Sequence, residues 1–402
     1  MWKRSKADEP GVPVSDGRAR DPWSMYQFIM QDVLPSEETY ASQVCERMLQ
    51  LARRQRASDI HLDARPEGFQ FKIRVDGRLV DVGLIPHGQQ VSIAARYKAL
   101  AQLVTYRSDV PQEGRISEPG EVGEARLATF PTLHGERLVI RLSNTQERVT
   151  QLHDLGMSEL QLAHYHHALQ AAAGVLLITG PVGSGKTTAA YACLHHLCGD
   201  AAPEEAARGR CVVTLEDPVE REISGIAQAQ IDPHAGFDWD MGLKALLRQD
   251  PDVLFVGEIR DAATAQAVFR ASMAGQLVIS TMHARSNAEA LLRLLDLHVP
   301  SQHLVSGLRL MTNQRLVRRR CSCQTGCDRC YYEGYRGRTL LCEVLPEISF
   351  EIARLITHSG DLAELQRRVS LVAGQTLNDT AKQAVASGLV SKEDVQELLR
   401  EA

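Results

Sequence analysis

Apolar residues near the start of the chain recur at helical spacing. Val44, Met48 and Leu51 lie three or four positions apart, on one face of a helix. The segment 36–54 is therefore predicted to form a short amphipathic helix. Residues 1–35 mix charge with proline and glycine, and we expect a flexible N-terminal lead there.

From residue 58 the pattern changes to a period of two, which predicts half-buried β-strands. The pair Asp76-Gly77 predicts a tight hairpin turn between two of them. A helix over 89–104 and three further strands, the last at 138–142, follow. Together these elements predict a compact α+β domain over 36–150.

From residue 158 onward, short runs of continuous apolar residues are separated by helical segments. Ser158 and Gly174 are the predicted N-cap and C-cap of the helix that precedes the first run. Continuous apolar strands alternating with helices indicate a parallel sheet covered on both faces, in which ligands bind at the carboxyl ends of the strands. The predicted strands are Val175–Ile178, Cys211–Leu215, Val253–Val256 and Leu277–Ser280.

The first of these strands runs into a complete phosphate-binding loop. Glycines at three positions let successive backbone N–H groups face phosphate oxygens beside a helix N-terminus, the lysine adds a positive charge, and the threonine hydroxyl suits Mg²⁺. The sequence therefore predicts a site for a nucleoside triphosphate. The predicted nucleotide-binding residues are Gly180, Pro181, Gly183, Ser184, Gly185, Lys186, Thr187 and Thr188.

Acidic residues and a histidine follow the other predicted strands. Glu258 is the first choice for orienting the attacking water or supporting Mg²⁺, with Glu216 and Asp217 as supporting carboxylates. His283 is a candidate for a hydrogen bond to the γ-phosphate. The alternative for each acid is a helix cap, and for the histidine a structural role.

Composition limits the classes of protein that fit. The chain of 402 residues has a net charge of −5 and a pI near 6.3, which does not indicate a nucleic-acid-binding protein. We expect a cytoplasmic protein, because no apolar run reaches the length of a membrane span and residues 1–10 carry charges where a signal peptide needs an apolar core. Nine cysteines then predict reduced thiols or metal ligands.

Four of these cysteines fall within ten residues, at Cys321, Cys323, Cys327 and Cys330. Four thiols this close can converge on a tetrahedral Zn²⁺, and the alternative is a set of reduced, unliganded cysteines. The surrounding segment 315–338 carries seven arginines against two acids. We expect it to contact another subunit or a membrane-platform protein more readily than nucleic acid.

The ordered motifs of the chain resemble those of the type II secretion and type IV pilus assembly ATPases. Leu215–Glu220, Leu247–Asp261 and Ser280–His283 resemble the family's Asp box, Walker B and His box. Further similar motifs lie upstream at Ser58–His61, Arg74–Gly77, Pro111–Arg115 and Gly135–Arg137, and downstream at Gln314–Arg318 and Gly334–Arg338.

The resemblance implies a ring of six subunits, each with a smaller PAS-like α+β domain hinged to a RecA-like ATPase domain over 151–312. A cysteine- and arginine-rich segment over 313–345 and a helical C-terminal region over 346–402 would follow. Arg115 and Arg126 match the family arginines that reach the phosphates, and Lys244 and Arg248 match two further family arginines, although a lysine lacks the bidentate fork.

By the same resemblance, ATP hydrolysis would drive pilin or pseudopilin assembly from the cytoplasmic side of the inner membrane. The partners implied are a platform protein of that membrane and a cytoplasmic adaptor. The cysteine cluster favours the extension-type branch, but its first pair is CxC instead of CxxC, and residues 1–35 are too few for the docking domain of dedicated secretion members. A RecA-like nucleic-acid translocase is the alternative function.

Overall fold

The computed structural model describes residues 22–33, 38–86, 89–116, 125–142, 151–198, 209–323, 326–327, 330, 334–358, 361–373 and 375–400. Contacts divide the chain into two compact units. The first comprises the described residues within 1–148 and 320–337, and the second those within 149–319 and 338–402. No helix in the described ranges is long and apolar enough to cross a bilayer.

The first unit contains one antiparallel sheet of six strands and three helices. The strand order is β3-β2-β1-β6-β5-β4. The elements are α1 (Pro22–Met30), α2 (Tyr40–Arg54), β1 (Ala57–Arg65), β2 (Gly68–Val75), β3 (Arg78–Pro86), α3 (Gln90–Leu100), β4 (Gln112–Ile116), β5 (Ala125–Thr132) and β6 (Gly135–Leu142).

Several sequence predictions are confirmed in this unit. Val44, Met48 and Leu51 are buried on α2, and the positive φ angles of Asp76 (49°) and Gly77 (89°) form the predicted turn between β2 and β3. The prediction of a flexible N-terminal segment is wrong for residues 22–30, because they form α1. Met25 and Ile29 of this helix are buried in the core of the unit, which gives the helix its stability.

The second unit is built on a seven-stranded sheet in the order β13-β12-β7-β11-β10-β8-β9. Its strands are β7 (Gly174–Thr179), β8 (Val212–Glu216), β9 (Ala227–Gln230), β10 (Val253–Val256), β11 (Leu277–Met282), β12 (Leu308–Arg320) and β13 (Tyr335–Leu345). Its helices are α4 (Glu159–Gln170), α5 (Lys186–Cys198), α6 (Trp239–Leu246), α7 (Ala262–Met273), α8 (Asn287–Asp296), α9 (Ser301–Gly307), α10 (Phe350–His358), α11 (Leu362–Ala373), α12 (Leu377–Ala386) and α13 (Lys392–Arg400).

Strands β7 to β12 of this sheet pair in parallel, and both faces are covered. Val175 and Leu177 of β7 belong to one apolar cluster, and Leu176 and Ile178 belong to another. This alternation places helices on each side, so the predicted α/β class with a parallel sheet and C-terminal helices is confirmed. All residues of β7 are buried, as the apolar run predicts.

Two local predictions differ from the structure. Ser158 caps α4 as expected, with a reciprocal capping box to Gln161, but the helix ends at Gln170 with Ala171 as its C-cap. Gly174, the predicted cap, starts β7 with a φ of 138°. Strands β9, β12 and β13 were not predicted. The four residues of β9 lack β-branched side chains and are partly exposed, and β12 and β13 interrupt their apolar residues with arginines.

Candidate active site

The phosphate-binding loop lies between β7 and α5, as the sequence predicts. Gly180, Gly183 and Gly185 all have positive φ angles, which favour glycine. A Cβ atom at Gly180 would lie 2.5 Å from both the Gln314 carbonyl oxygen and the Ser184 hydroxyl, so the loop passes too close to β12 for a side chain there. Thr187 and Thr188 are half-buried in the first turn of α5.

Lys186 is held against its own loop. Its Nζ donates to the carbonyl oxygens of Gly180 at 3.0 Å and Pro181 at 2.9 Å, and lies 3.2 Å from His283 Nδ1. Burial lowers the pKa of Lys186 to about 8, the charge of Glu258 opposes this shift, and Arg315 adds to it. A desolvated cation beside three glycines is suited to a polyanionic ligand.

His283 bridges this lysine and Glu258. With Lys186 donating to Nδ1, the ring carries its proton on Nε2, which lies 2.8 Å from Glu258 Oε1. Glu258 Oε1 nevertheless has no aligned hydrogen bond in the described part of the chain, and neither has the buried Ser184 hydroxyl. Buried polar atoms without aligned hydrogen bonds, one in the phosphate-binding loop and one after β10, fit a site that is completed by a ligand, its water and Mg²⁺.

Arg260 connects two of the predicted acids. Its Nε donates to Glu258 Oε2 at 2.6 Å, and its Nη1 lies 3.7 Å from Asp217 Oδ2. Asp217 is exposed, so it has room for a cation or its water shell. Arg260 was not predicted as a site residue, although it lies within the strand-end segment that contains Glu258.

Glu216 has different surroundings from the other acids. It is buried, and its carboxylate accepts hydrogen bonds from Tyr191 at 2.5 Å, Thr214 at 2.7 Å and Gln228 at 3.1 Å. The Tyr191 hydroxyl in turn accepts from the backbone N–H of Glu220 at 3.1 Å. These contacts give Glu216 the role of a fixed anchor for the loop after β8, and its predicted part in catalysis stays a prediction.

The remaining predicted phosphate ligands belong to other elements of the chain. Arg248 is exposed just after α6, and Lys244 on that helix pairs with Asp240 at 2.5 Å. In the first unit, the strand register places Arg115 opposite Arg126, and Arg126 opposite Arg141 on β6. Three arginines therefore lie side by side on adjacent strands. Arg141 is paired with Asp59, whereas Arg115 and Arg126 are directly opposed like charges, which repel each other.

The four clustered cysteines converge. Their sulfur atoms all lie within 4.8 Å of one another, with Cys321–Cys327 at 3.9 Å and Cys323–Cys330 at 3.5 Å. Ligands about 2.3 Å from a tetrahedral Zn²⁺ are about 3.8 Å apart, so the cluster fits this metal. Although burial opposes ionisation of Cys330, hydrogen bonds from the backbone N–H of Cys327 and from neighbouring groups lower its pKa to about 6. Arg329, one of the seven arginines of segment 315–338, lies outside the described residues.

Comparison with known proteins identifies the family. The sequence profile of the family described as "Type II/IV secretion system protein" matches residues 36–400. The chain belongs to this family. It is 37% identical to the protein transport protein HofB homolog of Escherichia coli over 384 residues, which covers 89% of this chain and 81% of that protein.

A second secretion-family relative is the type II secretion system ATPase E of Vibrio cholerae, 34% identical over 403 residues, or 92% of this chain and 78% of that protein. The ATPase DotB of Legionella pneumophila has a similar fold, with a TM-score of 0.68 at 20% identity over 92% of this chain and 99% of that one. The predicted resemblance is thus confirmed. Family membership and the intact phosphate-binding loop together support ATP hydrolysis by this secretion-family chain.

Proposed function

We propose that this chain is the ATP-hydrolysing subunit of a hexameric motor that powers pilin or pseudopilin assembly in a type IV pilus, competence or type II secretion machine. The observation that carries the proposal is the Lys186–His283–Glu258 arrangement at the strand ends of a chain that matches the secretion family over 36–400. Lys186 neutralises phosphate charge, Glu258 orients the attacking water, and His283 responds to the γ-phosphate.

Magnesium fits the oxygen atoms available at the site. Thr187, Glu258 and Asp217 would hold it, and the ion would neutralise charge on the β- and γ-phosphates. Arg115 and Arg126 belong to the first unit, and in this proposal they stabilise the charge that develops on the transferred phosphoryl group. Closure of one unit on the other then accompanies hydrolysis.

Zinc is the proposed metal of the cysteine cluster. Its role is structural, because four thiolates close the coordination sphere and leave no open position. Zinc analysis of protein purified without added metal tests this assignment. About one zinc per chain, absent from a Cys323→Ser/Cys330→Ser variant, supports it, and metal-free protein with an unchanged thermal midpoint in chelator contradicts it.

The proposed partners are five further copies of this chain, a platform protein of the inner membrane and a cytoplasmic adaptor. In this proposal the protein is cytoplasmic and associates with the membrane through these partners. The support is the family match and the exposed arginines Arg319, Arg320, Arg336 and Arg338 beside the cysteine cluster.

The experiment uses the full chain with Glu258→Gln to trap bound ATP. Light scattering with ATP and Mg²⁺ should report a hexamer, and the trapped protein should recover an integral membrane protein from membranes of its own source. A monomer that recovers no membrane protein contradicts the motor. Hydrolysis stimulated by single-stranded nucleic acid would instead support the translocase alternative.

A further inference from the structure

Three consecutive polar residues are buried in the middle of β12. Asn313, Gln314 and Arg315 are 2%, 0% and 4% exposed. Burying polar groups and a guanidinium costs free energy unless hydrogen bonds replace their contacts with water. An apolar strand would avoid this cost, so we expect the hydrogen bonds of these residues to have a role. The Gln314–Arg318 motif thus contains two buried polar residues to which the proposed function gives no role.

Asn313 and Arg315 lie on one face of the strand and hold the loop that follows β11. Asn313 Nδ2 donates to the Ala284 carbonyl oxygen at 3.1 Å, and Arg315 Nη2 donates to that of Arg285 at 2.7 Å. Arg293 on α8 donates to the His283 carbonyl oxygen at 2.7 Å. Three successive carbonyls of the loop that carries His283 are therefore held by three different side chains.

Asn313 and Arg315 also brace each other and the neighbouring strand. Arg315 Nη1 donates to Asn313 Oδ1 at 2.8 Å, and Asn313 Nδ2 donates to Thr179 Oγ1 at 2.8 Å, at the end of β7. The guanidinium thus donates to neutral oxygens of its own strand and of the His283 loop. These hydrogen bonds fix the orientation of the guanidinium.

Gln314 lies on the opposite face of β12 and contacts the phosphate-binding loop. Its Nε2 donates to the Ser184 carbonyl oxygen at 3.0 Å, and its own carbonyl oxygen is the atom that a Cβ at Gly180 would strike. Gln314 Oε1 is buried without a hydrogen-bond partner in the described part of the chain. The same residue therefore lies against the phosphate-binding loop at Gly180 and again at Ser184.

We propose that Asn313, Gln314 and Arg315 form one positioning element that fixes the phosphate-binding loop and the His283 loop relative to each other. Gln314 sets nucleotide affinity through the phosphate-binding loop. Arg315 sets turnover through the backbone that orients His283 against Glu258. None of the three is a catalytic residue in this assignment, which depends on ATP hydrolysis and not on the proposed motor.

Two variants of the full chain separate the two halves of the element. Gln314→Met removes the donor at similar size, and we expect the Kd for ATP to rise about 10-fold while kcat stays within about 3-fold. Arg315→Gln removes the charge-assisted hydrogen bond to the Arg285 carbonyl oxygen of the His283 loop, and we expect kcat to fall about 10- to 100-fold with the Kd for ATP within about 3-fold. Arg309→Gln, at an exposed position on the same strand outside this element, is the matched control and should change neither constant.

Arg315→Lys distinguishes positioning from general stability. It retains the charge and one donor, so it should recover part of the turnover lost in Arg315→Gln. A merely structural role would instead lower affinity and turnover in equal ratio together with the thermal midpoint. That equal loss, or wild-type constants in both Gln314→Met and Arg315→Gln, would overturn the proposal.

If Arg315→Gln does not fold, Arg315→Lys carries the test. A kcat below that of the wild type at unchanged Kd for ATP supports the proposal, and a wild-type kcat overturns it. If the motor experiment recovers no membrane partner, the two outcomes of this test can still be distinguished, because this test measures only nucleotide binding and hydrolysis.

Discussion

Replacing Glu258 with glutamine removes one charge from the site and preserves the size of the side chain. The Glu258 side chain is 14% exposed, and its two oxygens lie 2.6 Å from Arg260 Nε and 2.8 Å from His283 Nε2. A hydrogen bond to a charged group contributes about 1.5–3 kcal/mol, so weakening one of these contacts in the transition state slows the reaction about 10- to 100-fold. Loss of a positioned acceptor for the water costs about 100-fold or more. We therefore expect kcat to fall at least about 100-fold.

Phosphate release by the full chain with ATP and Mg²⁺ measures this change, and fluorescent ATP titration measures affinity. The Kd should stay within about 3-fold, because Lys186 and the glycine loop remain intact. Glu222→Gln, at an exposed position after β8, is the matched control and should keep wild-type turnover. Turnover within about 3-fold of wild type in Glu258→Gln, at unchanged affinity, would refute the assignment of Glu258.

Three further predictions concern other parts of the molecule. Arg115→Ala should lower kcat more than ATP affinity, and an equal loss of both would indicate simple binding. Lys98→Met should destabilise the first unit by about 3–5 kcal/mol, because the buried Lys98 donates to Glu136 at 2.6 Å; a thermal midpoint equal to that of the wild type would contradict this. The pKa of His196 is lowered mainly by burial and secondarily by the charge of His166. The neutral ring therefore contributes stability above the unfolded-state pKa of about 6.5, and this contribution is lost as the pH falls below that value. The thermal midpoint should then fall less steeply below that pH in His196→Gln, and identical slopes would exclude this source.

The parts of the fold that follow simple periodicity could be predicted from the sequence. Strand β7 is six buried residues, and the phosphate-binding loop needs only local glycine geometry, so both are encoded within a few positions. The alternation before Asp76-Gly77 and the turn residues themselves likewise predict the hairpin that β2 forms with β3. Such features depend on residues that are close together in the sequence, so the sequence pattern alone is enough to predict them.

The parts that depend on distant contacts could not be predicted. The segment Asn313–Arg315 is polar and does not resemble a buried strand, because its stability comes from carbonyls of two loops far away in sequence. Glu216 looks equivalent to Asp217 in sequence, yet only Glu216 is enclosed by a tyrosine, a threonine and a glutamine from other elements. Sequence spacing predicts which acids reach the strand ends, and tertiary packing decides which remain available to a ligand.

The side-by-side arginines of the first unit make solution conditions part of any measurement on this protein. Arg141 donates to Asp59 at 3.1 Å, whereas Arg115 and Arg126 face each other across β4 and β5. Dissolved salt screens exposed charges over about 8 Å at physiological ionic strength, a distance comparable to the width of two strands. Attraction of an anion to this row weakens as buffer salt increases, so rates measured at different ionic strengths are not directly comparable.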